Sequence, residues 1–229
     1  MHVPDGFLSV PVSIATGVVA AGAIGLAIKN SRAEMADDRK APMVGIVATV
    51  IFATQMINFP VGAGTSGHLL GGALAAVLLG PWTAVLALSA VFIVQALLFA
   101  DGGLTALGTN ITLMGLVTIT VGWWVFRGLV RLLPARRWAI AVAAGIGGLL
   151  SVPASAIAFV GLFAIGGQVA VPIEAVFAAM VGWHALIGIG EAIITGLIVA
   201  AVLATRPDLV YGARFQRSGA TPTREAALV

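Results

Sequence analysis

Long apolar runs separated by short polar breaks fill this chain, and the spacing of the breaks predicts its elements. Runs over residues 8–28, 43–59, 67–80, 82–100, 104–126, 138–164 and 173–204 compare with the roughly 20 apolar residues that a helix needs to cross a bilayer. The third run is short, roughly 21 Å at 1.5 Å per residue, and Gly80-Pro81 separates it from the fourth. It reads either as a thin full crossing or as a re-entrant half-helix. The last run is long enough that it must tilt, protrude or bend, and Gly182, Gly188 and Gly190 offer places to do so. The pattern predicts an all-α polytopic membrane protein of about seven transmembrane helices.

The polar breaks orient it. With the N-terminus outside and alternate crossings, the inner loops receive Lys29, Arg32, Arg39 and Lys40, then Arg127, Arg131, Arg136 and Arg137, then Arg206, Arg214, Arg217 and Arg224. These are all 12 basic residues of the chain. An excess of Lys and Arg in cytoplasmic loops is the orienting signal of membrane proteins, so the N-terminus is expected outside and the C-terminus in the cytoplasm. The assignment requires 67–80 to count as a crossing. Segment 8–28 has no basic region before it and no evident cleavage site, which predicts a retained first helix. Its Gly17, Ala21 and Gly25 are spaced for close helix approach, within the chain or toward a partner.

Composition narrows the class. With 60% hydrophobic residues, 9% charged residues and a mean hydropathy of +1.09, too few polar side chains exist to clothe a soluble globule. The expectation is one integral membrane domain over 1–210 and a cytoplasmic tail over 211–229 that is disordered. Topology accounts for the net charge of +3, so no nucleic-acid partner is implied. Without cysteine, any metal site must use nitrogen and oxygen donors.

The chemistry begins at Met1-His2-Val3-Pro4-Asp5-Gly6. A terminal amine, the His2 backbone nitrogen and the His2 imidazole Nδ1 can close a five-membered and a six-membered chelate ring around one ion. Three in-plane nitrogens leave a fourth position open, and a planar nitrogen set suits nickel(II) or copper(II). His68, after a glycine-rich break on the same expected side, is the candidate fourth donor. Asp5, Ser66, Asp101 and Asn110 fall on that side too and could support the ligands, or could serve only as caps and loop bonds. The segment Ala100-Asp101-Gly102-Gly103 is expected to close over the site. Because the nitrogen donors must lose protons to bind, free-group values near 6.5 and 7.7–8.0 predict an affinity that falls between about pH 8 and pH 6. His184 and Glu191 share one face of the last helix; a structural role is expected for both.

Four stretches carry a resemblance over nearly the whole chain to about residue 204. They are Met1-His2-Val3-Pro4-Asp5-Gly6-Phe7, the run from Phe59-Pro60 to Gly67-His68-Leu69-Leu70-Gly71, the run from Gln95 to Gly108, and Trp183-His184-Ala185-Leu186-Ile187-Gly188-Ile189-Gly190-Glu191-Ala192. Together they resemble the CbiM/NikM family, the substrate-binding membrane components of energy-coupling-factor transporters for cobalt and nickel. The resemblance implies seven helices with the N-terminal segment folded into the bundle from outside. It implies Co²⁺ or Ni²⁺ as transported substrate, held by Met1, His2 and His68, with no organic cofactor. It also implies a plasma-membrane (inner-membrane) location, a transmembrane coupling subunit, two cytoplasmic ATPase subunits and, in cobalt systems, a small accessory membrane subunit. The chain itself lacks the Gly-Lys-Ser/Thr of a P-loop. Two readings compete: a rhomboid-like intramembrane protease using Ser66 in Gly64-Thr65-Ser66-Gly67 with His184 as base, and a metal carrier working alone through Glu174 and Glu191.

Overall fold

The computed structural model describes residues 1–35, 41–62 and 65–216. Arg39, Lys40, Ala63, Gly64 and the tail from 217 onward, with Arg217 and Arg224, lie outside the described residues. Each apolar run contains one helix: α1 (Val10–Glu34), α2 (Ala41–Gln55), α3 (Gly72–Leu79), α4 (Pro81–Leu98), α5 (Leu107–Leu132), α6 (Arg137–Gly166) and α7 (Ile173–Thr205). Five of these are long and apolar enough to cross a membrane, and α2 is a shorter apolar helix. The break between α2 and α3 is an antiparallel hairpin, β1 (Phe59–Gly62) with β2 (Thr65–Gly67), in which Pro60 lies opposite Ser66. Nearly everything else is helix.

The third run departs most from its expected form. Helix α3 has only 8 residues, about 12 Å at 1.5 Å per residue, and all of them are buried. A helix that is apolar all round belongs inside a bundle. Its start is tied to α7, where the Glu191 carboxylate accepts from the backbone N–H groups of Leu70 (2.9 Å) and Gly71 (2.6 Å). Beyond its end, Gly80 takes φ +98° to turn the chain into α4. A Cβ there would lie 2.5 Å from the carboxyl carbon of Glu34, so glycine alone fits. Glu34, the last residue of α1, accepts from Thr83 N–H (2.7 Å), Thr83 Oγ1 (2.8 Å) and Trp82 N–H (3.3 Å), which caps α4. Segment 67–80 therefore begins beside Met1 and ends beside the far end of α1. It runs the depth of the bundle as a short non-helical stretch plus a short helix.

Helices α6 and α7 meet backbone to backbone. A Cβ on Gly188 would lie 2.7 Å from the Leu149 carbonyl oxygen, and one on Gly145 2.8 Å from that of Ala192. Small residues at such crossings are how membrane helices gain close contact. Gly17 of α1 is met by Gly108 of α5, whereas Ala21 and Gly25 face outward. Large apolar side chains such as Ile14, Leu186 and Leu197 are 60–66% exposed, while His68, Gln55, Gln95 and His184 are buried. This is the inside-out distribution of a multi-pass membrane protein. The described basic residues collect at the Glu34 end: Arg137 donates to the Leu203 carbonyl, and the Arg127 guanidinium sits 3.8 Å above the Phe215 ring. The 3₁₀ turn Tyr211–Phe215 packs against Trp123, and the described residues continue to Gln216.

Candidate metal centre

The N-terminal segment is plugged into the bundle. Met1, His2 and Val3 are buried, whereas Pro4, Asp5 and Gly6 form an exposed turn. Val3 is held on both backbone groups: its N–H donates to Asn110 Oδ1 (2.8 Å), and its carbonyl accepts from Asn110 Nδ2 (3.2 Å) and from Gly103 N–H (2.9 Å). Asn110 sits where α5 passes into a π-helical stretch, Ile111–Val117, an irregularity that is frequent at functional sites. At the other end of the segment Ser9 N–H donates to the Gly166 carbonyl and Gln168 N–H to that of Phe7. The loop after α4 thus does cover the terminal residues, as expected of Ala100-Asp101-Gly102-Gly103.

Inside, the rings of His2 and His68 stack with centroids 4.6 Å apart and planes 29° apart. The His68 Nδ1–H donates to the Leu69 carbonyl (2.8 Å), leaving Nε2 as a buried nitrogen without a partner among the described residues. His2 Nε2 contacts Gln95 Oε1 (3.1 Å), and its Nδ1 also lacks a hydrogen bond. That Nδ1 lies 3.2 Å from Asp101 Oδ1, whose Oδ2 is likewise unpartnered. Buried polar atoms are ordinarily satisfied, and each exception needs a cause. The Met1 amine donates to Ser66 Oγ (3.3 Å), and the Met1 sulfur touches Ser155 of α6. An open cleft of about 320 Å³, lined by His2, Asn58, Pro60, Ser66 and Asp101 among others, leads to this cluster.

Burial dominates the electrostatics. Loss of hydration pulls the Met1 amine from 8.0 down to about 4, against the raising effect of Asp101. The His2 imidazole falls from 6.5 to about 3 through burial and the neighbouring amine. Burial raises the Asp101 carboxyl. The amine and the imidazole are therefore unprotonated near neutral pH, with lone pairs free for a cation.

Of the residues named from the sequence, Met1, His2, His68, Ser66, Asp101 and Asn110 come together here. Asp5 does not: its carboxylate accepts from Thr105 N–H (2.7 Å) at the surface and caps that turn. His184 comes nearer than its place in the sequence suggested, within electrostatic reach of the Met1 amine and His68. Its Nδ1 is bonded to the Met180 carbonyl and its Nε2 is unpartnered. Ser66 and His184 make no hydrogen bond to each other, so the nucleophile–base pair of the protease reading is not assembled. Sequence reasoning gave no role to Gln55 or to Gln95, which are fully buried. The available signal was an amide in an otherwise apolar helix, which must find a partner inside the bundle.

A family model described as the cobalt uptake substrate-specific transmembrane region, CbiM, matches residues 2–209. The chain belongs to the CbiM family. It is 40% identical to a Haloquadratum walsbyi relative that carries a metal-transport name, over 97% of this chain and 98% of that one. It is 37% identical to an Archaeoglobus fulgidus relative with a fused nickel-transport name, over 92% of this chain and 68% of that one. A crystal structure described as a truncated transition metal transporter superposes with a TM-score of 0.81 at 31% identity, covering 89% of this chain and 99% of the other. CbiM membership makes the chain a membrane component of cobalt or nickel transport and not an enzyme, which removes the protease reading.

Proposed function

We propose that this chain is the substrate-binding component of an energy-coupling-factor importer, and that it binds divalent cobalt or nickel through Met1, His2 and His68. With Met1 as first residue, its amine, the His2 backbone nitrogen, His2 Nδ1 and His68 Nε2 supply four nitrogens to one ion. The observation that carries this reading is the pair of stacked, buried imidazoles with complementary unpartnered nitrogens, Nδ1 on His2 and Nε2 on His68. A lone pair on His2 Nδ1 facing a carboxylate oxygen at 3.2 Å is an arrangement that a proton or a cation bound to that nitrogen relieves. Asp101 then offsets part of the ion's charge, and Asn110 and the Gly103 N–H hold the chelating segment in place.

Orientation and assembly belong to the same reading. The N-terminus and the cleft face outward, and the basic end formed by Arg127, Arg137 and Arg214 faces the cytoplasm. There a transmembrane coupling subunit would dock, joined by two ATPase subunits and, in a cobalt system, a small accessory membrane subunit. The 1–216 region acts as one membrane domain. Titration of the purified protein with Co²⁺ and Ni²⁺, read by visible absorption, tests the site. His2→Ala and His68→Ala should each abolish tight binding, while Ser66→Ala, which removes only an acceptor for the amine, should keep it. Full binding in either histidine variant would refute the donor set, and uptake by the chain without an ATPase would refute the assembly.

A further inference from the structure

Two buried amides connect the His2 ring to the backbone beside His68. The Leu70 carbonyl accepts from Gln55 Nε2 (2.8 Å), Gln55 Oε1 accepts from Gln95 Nε2 (3.0 Å), and Gln95 Oε1 faces His2 Nε2 (3.1 Å). The direction of this chain is not free. A carbonyl can only accept, so Gln55 must present its NH₂ to Leu70 and its oxygen to Gln95. Gln95 must then present its NH₂ to Gln55 and its oxygen to His2. The last link is complete only if His2 Nε2 carries the hydrogen. Leu70 is itself pinned, since its N–H donates to Glu191.

The opposite side of the ring pulls the other way. Asp101 Oδ1 stands 3.2 Å from His2 Nδ1, and a carboxylate there favours a proton on Nδ1, which would block that nitrogen as a donor. Which of two ring nitrogens is protonated is decided by the bonds each makes. We propose that Gln55 and Gln95 form a positioning relay that holds the His2 proton on Nε2 against Asp101, keeping Nδ1 open for the transported ion. The relay rests on the reading of His2 as a ligand. It also joins the two ligating segments, because one end is the His2 ring and the other is the backbone two residues after His68.

The test uses metal-free full-length protein labelled with ¹⁵N in its histidine rings. With only three histidines in the chain, the His2 signals can be assigned by difference against His68→Ala and His184→Ala. Nitrogen shifts of the wild type should show His2 protonated on Nε2. In Gln95→Leu the proton should move to Nδ1, and in Gln55→Leu, which touches neither histidine, it should be shared between the two positions. Co²⁺ affinity should fall about 10–100-fold in Gln95→Leu, and adding Asp101→Asn should recover part of that loss. His2 still protonated only on Nε2 in both leucine variants would overturn the relay. A moved proton with unchanged Co²⁺ affinity would leave the relay standing and overturn His2 Nδ1 as a ligand. Because the shifts are read without metal, the two failures are distinguishable, and Gln55→Leu covers the case in which Gln95→Leu does not fold.

Discussion

Replacing Asn110 by alanine should uncouple the chelating segment from the bundle without touching a ligand. The Asn110 amide makes two buried bonds to Val3, one to its N–H at 2.8 Å and one to its carbonyl at 3.2 Å. The carbonyl keeps its bond from Gly103 N–H, but the Val3 N–H is left with nothing. Orphaning a buried backbone donor costs about 1–3 kcal/mol, and the second, shared bond adds about 0.5–1.5 kcal/mol. Docking of residues 1–3 is thus weakened by about 1.5–4.5 kcal/mol, which at 1.4 kcal/mol per tenfold is roughly 10- to 1,600-fold. Only docked molecules can bring Met1 and His2 to His68, so the apparent Kd rises as the docked share falls. Asn110→Asp keeps an acceptor for the Val3 N–H and should fall between wild type and alanine. The assay pairs a Co²⁺ titration with amide exchange at Val3, where the undocked fraction is read directly. Faster Val3 exchange in the alanine variant with a Kd within about threefold of wild type would refute the claim that docking and metal binding are one event.

Two further outcomes follow from the same geometry. The Met1 amine and His2 imidazole sit at about 4 and about 3 in the docked state, below their free values of 8.0 and 6.5; lowered bases favour the docked form at high pH, and that support is lost as pH falls from about 8 toward 4. Between pH 6.5 and 8 the ion should displace only the proton of the His2 backbone nitrogen, so log affinity should change by about one per pH unit, a gentler fall than free groups would give; a slope of two or more would refute the docked values. One glycine added before Met1 moves His2 to third place, where the terminus alone can offer four nitrogens, so the variant should lose uptake even if it retains metal. Normal uptake by that variant, with mass spectrometry showing the glycine still attached, would rule out the amine as a ligand.

Much of this protein is local in origin and therefore legible along the chain. Apolar run lengths report membrane helices because the bilayer imposes them, and all seven runs hold a helix. The separation of Lys and Arg from the histidine-bearing breaks is also local, and the structure keeps it: the described basic residues lie at the Glu34 end, His2 and His68 near the other. What a one-dimensional pattern could not convey was depth and facing. Segment 67–80 looked like a thin crossing or a re-entrant half-helix because its residues are apolar, but its first five residues are not helical and are held by Glu191 through bonds that span about 120 positions in sequence. Asp5 and Asp101 look alike in a sequence, and only the fold sends one to cap Thr105 and the other to His2. Gln95 opens one of the four matching stretches and Gln55 lies in none, yet neither showed a role, since an amide relay is defined by which groups meet in space and in which direction each can donate. Tertiary structure decided these matters because burial makes every polar atom find a partner, and the partners come from helices that only the folded bundle brings together.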